Sequence, residues 1–336
     1  MANAHSFPLL RLPGLAREHV LKVMDVREQY LFSRLSKKSK RIAKNGIRLI
    51  SYVYKIVLSS EATLIDIRQD WSREWFRFVI LPIENVQHNI SLNEMVFKVD
   101  DFIDKSIDLL IFLEEQFNIS RFTLRCEQVL HDCIVRFIAS VKKVSIKIYE
   151  LDVYREEDEV TNDTCLWVMD NCRDVKRLTI TCATTADFEW DSQESFTSEY
   201  CSLLDAPWLT VDHITRIFWN CRFFEVVDER HKMTSQDMSQ LIKLWMEGSK
   251  LEFIEIGGNE LFDFDQVMND IEKEPVIRAH VMNEIWEFRE GEAFKIVQNN
   301  GTEAVVCIAP GGNFILTTHF DNPRCDFWNI EGEEVN

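Results

Sequence analysis

A histidine, an acid and a cysteine stand side by side at His131-Asp132-Cys133, and these are the residue types of a thiol catalytic site. A thiol nucleophile needs its base and an orienting group within hydrogen-bond distance. Residues adjacent in sequence rarely face one another on one element, and the pattern predicts a helix from about Glu127 to Ala139. On that helix Cys133 is interpreted as a small buried hydrophobic residue, so no nucleophile is predicted here.

Other motifs that carry chemistry are absent from the sequence. It contains no Walker A loop, no GxGxxG, no HExxH and no CxxC pair. His213 follows Asp212 at the start of a predicted helix, where a surface or capping role is expected, and the acidic run 156–159 is expected to be a solvated loop. The sequence therefore predicts no catalytic residue, no cofactor and no metal, and it does not predict an enzyme. A hydrolase is a minor alternative that would require an accessible cysteine or serine of low pKa.

The composition narrows the class of protein. With 336 residues, 46% of them hydrophobic, the chain can form one large domain or two smaller ones around a buried core. Its low content of glycine (10) and proline (7) argues against low-complexity disorder and glycine-rich nucleotide cradles. The sequence has no run of 18 apolar residues, no secretory signal at its start and an odd number of cysteines, nine. These features predict buried thiols, no membrane segment, and a cytoplasmic and/or nuclear location.

Charge divides the chain into a basic head and an acidic body. The whole sequence has 38 Lys and Arg against 56 Asp and Glu, a net charge of −18. Residues 1–60 contain 12 Lys and Arg and 3 Asp and Glu, a net charge of +9, so the other 276 residues carry −27. Such a split indicates different partners for the two parts. Because the acidic body would repel phosphate, the head is expected to bind an acidic protein rather than a nucleic acid. The alternative is a solvated basic face.

Three short helices are predicted in the head. Apolar residues share one side of the first helical pattern, namely Leu15, Val20, Val23 and Met24. Asp25 and Glu28 have the spacing of a capping box, which predicts that a second helix starts at Val26. A third, basic helix is predicted after Ser36. Three helices in about 40 residues bury little surface alone, which indicates a docking module. The alternative is a helical bundle that packs only on its own domain.

The head resembles an F-box, and closely that of a family expanded in nematodes. The matching residues are Phe7-Pro8-Leu9-Leu10, Leu12-Pro13, Val20-Leu21, Met24-Asp25, Glu28, Ser33 and Ser36-Lys37-Lys38. The resemblance implies a three-helix domain over residues 1–48 that binds the acidic Skp-type linker of a cullin ubiquitin ligase. The residues implied to hold the linker are Leu9, Leu12, Pro13, Val20, Leu21, Met24, Leu31, Leu35, Lys37 and Lys38. Together with Lys40 and Arg41, the two lysines would steer association with the linker.

Two residues of the head depart from the family's pattern. Gln29 stands where an apolar residue is usual, and Val26 stands where proline is common. They are the basis of an alternative function, a protein-interaction scaffold with a degenerate F-box that is not coupled to ubiquitination. Under that hypothesis, a Gln29→Leu exchange is expected to restore linker binding.

A spaced apolar pattern recurs through the body. After two predicted strands, Tyr52–Leu58 and Ala62–Ile67, and a helix that begins near Phe102, the spacing apolar-x-x-apolar-x-apolar returns every 22 to 34 residues. Its copies are Ile119-Phe122-Leu124, Val141-Val144-Ile146, Val175-Leu178-Ile180, Cys221-Phe224-Val226 and Leu251-Ile254-Ile256, with a weaker one at Cys201-Leu204. This interval is typical of leucine-rich repeats, in which each unit is a short strand, a turn and a helix. Such units stack into a curved parallel sheet backed by helices.

The predicted helices between these strands also repeat. Thr161, Thr210 and Thr234 each precede an apolar-periodic run, as N-cap residues do, and Gly248 ends the third run. Aromatic residues recur at comparable places in the three helices and are expected to pack on the sheet: Trp167, Phe218 and Trp245.

Part of the body resembles the type 2 F-box-associated domain, which accompanies nematode F-boxes and recruits the substrate. The resemblance rests on two stretches, DAPWLTVDHITRIFWNC at 205–221 and MTSQDMSQLIKLWMEGSKLEFIEI at 233–256. It is strongest over residues 140–320 and fainter over 50–120. It implies that the body recruits a protein, whose identity does not follow from the family.

The last segment changes to antiparallel strand patterns. Strands are predicted at Ile285–Phe288, Phe294–Val297, Ala304–Ile308 and Phe314–Thr318. They are joined by the turn sequences Asn299-Asn300-Gly301 and Pro310-Gly311-Gly312, and the hairpins are expected to close the open end of the stack. The predicted fold class is therefore α/β. Its parts are a three-helix F-box (1–48), a leucine-rich-repeat-like solenoid (49–275) and a C-terminal β-hairpin cap of the same domain (276–336).

Together these features predict a substrate adaptor of an SCF-type cullin ubiquitin ligase. Its predicted partners are the Skp-type linker, the cullin and an unidentified protein substrate, with no nucleic acid and no membrane. Side chains between the buried anchors of the strands are expected to point to an open concave face that binds the substrate. These residues are Thr123, Arg125, Ser145, Lys147, Thr179, Thr181, Glu225, Val227 and Glu255. The alternative is a face that is merely solvated or is covered by the terminal hairpins.

Overall fold

The chain is a mixed α/β protein. The computed structural model describes residues 9–47, 50–84, 93–155, 161–185, 187–227, 230, 232–257, 262–281, 284–309 and 311–321. Phe7-Pro8, the acidic run 156–159 and Pro310 lie outside these residues. The chain divides into two compact units, Met1–Leu151 (unit 1) and Asp152–Asn336 (unit 2). None of the helices in the described ranges is long and apolar enough to cross a bilayer.

Unit 1 begins with helices in the positions that the sequence pattern predicts. A 3-10 turn, Leu9–Arg11, leads into α1 (Gly14–Val23), α2 (Val26–Arg34) and α3 (Lys37–Ile47). The predicted capping box is present at α2. The Glu28 N–H donates to Asp25 Oδ1 at 2.7 Å, and the Asp25 N–H donates to Glu28 Oε2 at 3.2 Å. A short local signal thus fixes where α2 begins.

A five-stranded sheet with two helices completes unit 1. Its elements are β1 (Ser51–Ser59), β2 (Thr63–Gln69), β3 (Phe76–Pro82), β4 (Glu94–Val99), α4 (Phe102–Gln116), β5 (Asn118–Glu127) and α5 (His131–Lys143). The strand order is β5-β1-β2-β3-β4. β2 is antiparallel to β1 and β3, whereas the outer pairs β1–β5 and β3–β4 are parallel. The two strands and the helix predicted for this region are confirmed.

One side of the head packs on the rest of unit 1. The ring of Tyr30 in α2 meets Phe78 of β3 edge-on, with ring centroids 4.9 Å apart, and Phe112 of α4 at 5.7 Å. Lys40 of α3 forms an ion pair with Glu115 of α4 at 2.6 Å. These contacts fix the three helices to the sheet and leave their other side facing solvent.

One predicted strand of the repeat pattern is wrong. The copy at Val141-Val144-Ile146 lies in the last turn of α5 and in the turn that follows it, because apolar residues three apart also suit a helical face. The strand comes later, as β6 (Glu150–Tyr154), which contains the boundary between the two units. Its buried anchors are Leu151 and Val153.

Unit 2 contains four adjacent parallel strands with helices between most of them. Its elements as far as residue 267 are α6 (Asn162–Asn171), β7 (Arg177–Thr181), β8 (Tyr200–Leu204), α7 (Val211–His213) with a π-helical turn (Ile214–Phe218), β9 (Phe223–Val227), α8 (Ser235–Glu247), β10 (Phe253–Gly257) and α9 (Phe264–Val267). β7 to β10 pair in chain order. Their four predicted strands are confirmed, but the described residues between β7 and β8 form no helix.

Two of the three predicted threonine caps form. Thr234 makes a capping box at the start of α8, and Thr210 Oγ1 accepts from the His213 N–H at 3.4 Å. Thr161 precedes α6 without capping it, because its hydroxyl donates to the Ala183 carbonyl at 3.4 Å instead.

The end of α8 and the aromatic residues of these helices largely follow the prediction. Gly248 follows α8 with a φ of +148°, a conformation that a side chain would strain. Phe218 and Trp245 are fully buried, and Phe218 stacks on Phe224 of β9 with centroids 4.6 Å apart. Trp167 is only half-buried, so it packs on the sheet less completely than predicted.

Antiparallel strands finish unit 2. They are β11 (Glu274–Pro275), β12 (Arg278–Val281), β13 (Glu284–Glu287), β14 (Ala293–Val297), β15 (Glu303–Ile308) and β16 (Phe314–Thr317). β16 pairs antiparallel with β10, so the sheet continues as β7-β8-β9-β10-β16-β15-β14-β11. The predicted hairpins over 294–317 are confirmed and extend the parallel strands at their end. β12 and β13 form a separate two-stranded ribbon.

Candidate functional site

The solvent-facing side of the head carries large apolar side chains. Leu15 is 84% exposed and Leu35 is 73% exposed. The residues that we call the apolar head surface are Leu10, Leu15, Val23, Leu31 and Leu35, from the 3-10 turn, α1, α2 and the residue after it. Exposed leucines concentrated on one short module are typical of a surface that another protein covers.

Basic side chains of α3 follow this surface in sequence. Lys37, Lys38 and Arg41 are exposed and form no ion pair with any described residue. Lys40 differs, because its ammonium is engaged with Glu115 at 2.6 Å. The three free cations would raise the association rate with an acidic partner.

The structure corrects part of the predicted linker-binding set. Leu9 and Leu21 are buried and cannot contact a partner. Leu21 faces Gly46 of α3 so closely that a Cβ on that glycine would lie 2.6 Å from the leucine Cδ1. The rest of the set is at least partly accessible: Leu12, Pro13, Val20, Met24, Leu31, Leu35, Lys37 and Lys38.

Three residues of the apolar head surface are absent from the linker-binding residues predicted from the sequence. They are Leu10, Leu15 and Val23. Leu15 and Val23 share one side of the predicted first helix, and that shared side is the sequence signal for their exposure. The F-box resemblance implies Leu21 instead, but Leu21 is the buried residue of α1.

The two departures from the F-box pattern lie inside unit 1. Val26 is the first residue of α2 and is 6% exposed. Gln29 is fully buried, and its Nε2 donates to the carbonyls of Leu21 and Met24 at 2.9 and 3.1 Å. Neither side chain belongs to the apolar head surface, so the departures do not alter that surface directly.

The predicted substrate residues of unit 1 fall into two environments. Thr123 and Arg125 lie on β5, where Arg125 Nε pairs with Glu127 Oε1 at 2.7 Å. Ser145 and Lys147 are exposed but lie outside any strand, with Ser145 at a φ of +63° in the turn after α5. They do not continue a row of strand residues, which corrects their predicted position.

The predicted substrate residues of unit 2 do lie on one face of its sheet. Thr179 of β7 pairs in register with Ser202, Ser202 with Glu225, and Glu225 with Glu255. Thr181 is half-buried and Val227 is exposed at the next position along their strands. This arrangement agrees with a row of side chains across parallel strands.

Part of that face is covered. The β12–β13 ribbon packs Ala279 and Val281 into a buried apolar cluster with Phe223 and Phe253 of the parallel strands. Glu255 is 6% exposed and cannot serve as an open substrate contact, which corrects its predicted role. The alternative prediction, in which the terminal hairpins cover this face, therefore holds for the part of the face that β9 and β10 form.

Two carboxyl groups meet at the edge of this covered region. Asn313 Nδ2 donates to Glu255 Oε1 at 2.6 Å, and the Tyr200 phenol donates to Glu225. Burial, with a smaller contribution from the neighbouring Glu225, raises the pKa of Glu255 to about 6. The pair therefore favours a proton on Glu255 in mildly acidic solution.

Several of the described thiols have a raised pKa. Cys133 is half-buried on α5, and burial raises its pKa above the ordinary thiol value. Burial also raises the pKa of Cys182 to about 11 and that of Cys221 to about 12. A raised pKa lowers the thiolate fraction. Among the described residues, no group of three or more His, Cys, Asp or Glu side chains is placed to hold a metal ion.

Comparison with known proteins gives one distant relative. The chain is 20% identical to the Skn-1 dependent zygotic transcript 15 protein of Caenorhabditis elegans, over 93% of this chain and 96% of that protein. The similarity therefore extends over both units. No family model matches the chain, and no solved structure matches it.

Proposed function

We propose that this protein is a substrate-recruiting adaptor of an SCF-type cullin ubiquitin ligase. The head would bind the Skp-type linker, and the rest of the chain would hold a protein substrate near the enzyme of the complex. Such an adaptor needs no chemistry of its own, since its contribution is proximity. The observation that carries the proposal is that the head exposes both the leucines of the apolar head surface and the basic residues Lys37, Lys38 and Arg41 of α3.

The energetics of that surface suit docking. Full burial of a leucine side chain contributes about 1.5–3 kcal/mol, so covering several exposed leucines can offset the entropy lost on association. The opposite side of the head is held by Tyr30 and by the Lys40–Glu115 ion pair. A surface fixed in this way loses little conformational freedom when a partner binds.

For the fold, we propose that the body is a leucine-rich-repeat-like solenoid that begins in unit 1 and ends in a hairpin cap. The four parallel strands β7 to β10, with their recurring anchors, support this assignment. The antiparallel pairing of β16 with β10 supports the cap. The resemblance to the type 2 F-box-associated domain supports the assignment of substrate recruitment to this region.

Co-purification tests the proposed function. The full chain, a Leu31→Asp/Leu35→Asp variant and a Leu130→Asp control are each mixed with the Skp-type linker and cullin. Leu130 is 66% exposed in unit 1 outside the head, so it controls for the general effect of an added charge. We expect the wild type and the control to bring down the linker and the double variant to lose it. A wild type that captures no linker at moderate salt would overturn the adaptor function.

A further inference from the structure

A groove of about 540 Å³ lies in unit 1 beside the first half of β5. Its sides are the end of α4, the β5 residues 118–122, and the segment 145–147, with Lys44 of α3 at the rim. Ser145 and Lys147, which the sequence assigned to substrate binding, are among its lining residues. The groove is large enough for a short stretch of peptide.

The strand that borders the groove has a free edge. The Tyr149 N–H donates to the Phe122 carbonyl at 2.8 Å. The segment after α5 is therefore hydrogen-bonded to β5 only from Tyr149 onward, which leaves the edge before Phe122 unpaired within the described part of the chain. Across the groove, the N–H groups of Ser145 and Ile146 donate back to α5. Within the described ranges no backbone hydrogen bond links 145–147 to 118–121. Such an edge can accept an added strand.

An unpartnered amide lies at one end of this edge. Gln116, the last residue of α4, is 2% exposed and lines the groove. Neither its Nε2 nor its Oε1 has a hydrogen-bond partner among the described residues. Buried polar groups are nearly always paired, and an unpaired one costs stability. A carboxamide is both donor and acceptor, as a peptide group is.

The charges of the groove favour an acidic ligand. Lys44 and Lys147 are exposed and form no ion pair with any described residue. Of the two lining carboxylates, Glu115 is neutralised by Lys40 at 2.6 Å, which leaves Glu114. Arg121 is likewise neutralised, by Glu150 at 3.4 Å, so among the described residues two unpaired lysines face one unpaired carboxylate. The groove is therefore locally basic, although the protein as a whole carries −18.

We propose that this groove binds an extended acidic peptide segment that adds to the free edge of β5. Lys44 and Lys147 attract its carboxylates. The Gln116 side chain turns toward the groove and hydrogen-bonds a peptide group of the ligand. The inference rests on the proposed function only in that the segment would belong to the recruited substrate.

A random decapeptide display library, selected on the immobilised full chain, tests the proposal. We expect the selected pool to be enriched in Asp and Glu. Its capture should fall about tenfold or more with Lys44→Glu/Lys147→Glu and severalfold with Gln116→Met. The matched control is Lys243→Glu/Lys250→Glu, which reverses two exposed lysines of unit 2 and should bind like the wild type. On binding, hydrogen exchange at residues 118–121 should slow.

Two results would overturn the groove assignment. One is a pool with no acidic enrichment, and the other is equal capture by the wild type and the groove double variant. Linker co-purification is run with the same proteins. Linker binding without acidic-peptide binding defeats this inference alone, whereas peptide binding without linker binding defeats the proposed function alone.

Discussion

The phenol of Tyr52 donates a 2.7 Å hydrogen bond to Oε1 of Gln29 and so joins β1 to α2. Both residues are fully buried, and burial raises the pKa of Tyr52 to about 12. Gln29 also holds the carbonyl of Leu21 in α1. Gln29, one of the two departures from the F-box pattern, therefore connects three elements of unit 1. The rescue of linker binding by Gln29→Leu stays a prediction, and it would have to act through the interior of unit 1, since Gln29 is buried.

Gln29→Leu should instead destabilise the protein. The exchange would remove the present hydrogen-bond partner of the Leu21 and Met24 carbonyls and would leave the Tyr52 hydroxyl with Gln69 alone. A buried polar group that loses its partner costs about 1–3 kcal/mol. Tyr52→Phe removes the phenol from the same network, so the double variant shows how much of the loss passes through the Tyr52–Gln29 bond. Urea denaturation of the two single variants and the double variant measures the coupling. A Gln29→Leu protein as stable as the wild type would show that the hydrogen bonds contribute nothing.

Variants of Leu35 and Leu21 should separate effects on linker binding from effects on the stability of the fold. Leu35→Asp alters a side chain that is 73% exposed, so we expect linker binding to be lost while stability changes by less than about 0.5 kcal/mol. Leu21→Ala alters a fully buried side chain and should cost about 2–5 kcal/mol of stability. Linker affinity and thermal unfolding are measured on both variants. Loss of stability in Leu35→Asp comparable to that in Leu21→Ala would contradict the assignment of the exposed surface.

Changing the salt concentration should separate the effect of the α3 cations on the association rate from the contribution of the exposed leucines to the stability of the complex. Replacing Lys37, Lys38 and Arg41 by Gln removes three exposed charges without changing the apolar head surface. We expect the association rate with the acidic linker to fall about tenfold or more at low salt and the dissociation rate to change little. At high salt the wild type and the variant should converge, because exposed charges are screened. Stopped-flow binding at two ionic strengths measures this difference.

Most of the correct sequence predictions rest on patterns of residues that lie within a few positions of one another. The capping box of Asp25 and Glu28 needs only residues three apart, and it forms as predicted. The strands β7 to β10 each combine a short apolar alternation with flanking turns, and these too are readable in a window of a few residues. The Val141-Val144-Ile146 copy was wrong because the same spacing satisfies the end of α5.

Contacts between residues distant in sequence explain the remaining errors. The ribbon at 278–287 packs against Phe223 and Phe253, and Asn313 hydrogen-bonds Glu255, which is buried, but no pattern around Glu255 in the sequence reports these contacts. Leu21 is covered by α3, which approaches closely only because position 46 is glycine. The groove beside β5 likewise depends on residues distant in sequence. The segment that follows α5 pairs with β5 only from the Tyr149–Phe122 hydrogen bond onward, and the groove lies before that point.

Gln116 should limit the stability of unit 1. Gln116→Met keeps the length of the side chain and removes two buried polar atoms that lack partners, so we expect stability to rise by about 1–3 kcal/mol. The comparison is Gln298→Met: Gln298 is similarly buried, but only its Oε1 lacks a partner, because its Nε2 donates to the Ser249 carbonyl at 3.3 Å, so that exchange should raise stability less than Gln116→Met does. Urea denaturation measures both. A destabilised Gln116→Met would mean that the amide is already satisfied.

Glu255 should give unit 2 a stability that declines as the pH rises from about 4.5 through about 6. Its pKa is raised by burial to about 6 in the folded chain, above the usual value of 4.5, so the folded state holds a proton that the unfolded state releases. This contribution is complete below about pH 4.5 and is lost as the pH rises through about 6, a change of about 2 kcal/mol. Glu255→Gln stays neutral at every pH and keeps an acceptor for Asn313. The variant should therefore match the wild type near pH 4.5 and exceed it by about 2 kcal/mol at pH 8, whereas Glu247→Gln, at an exposed site, should follow the wild type. Chemical denaturation at pH 4.5, 6 and 8 measures the difference, and parallel profiles for Glu255→Gln and the wild type would show that Glu255 does not take up a proton on folding.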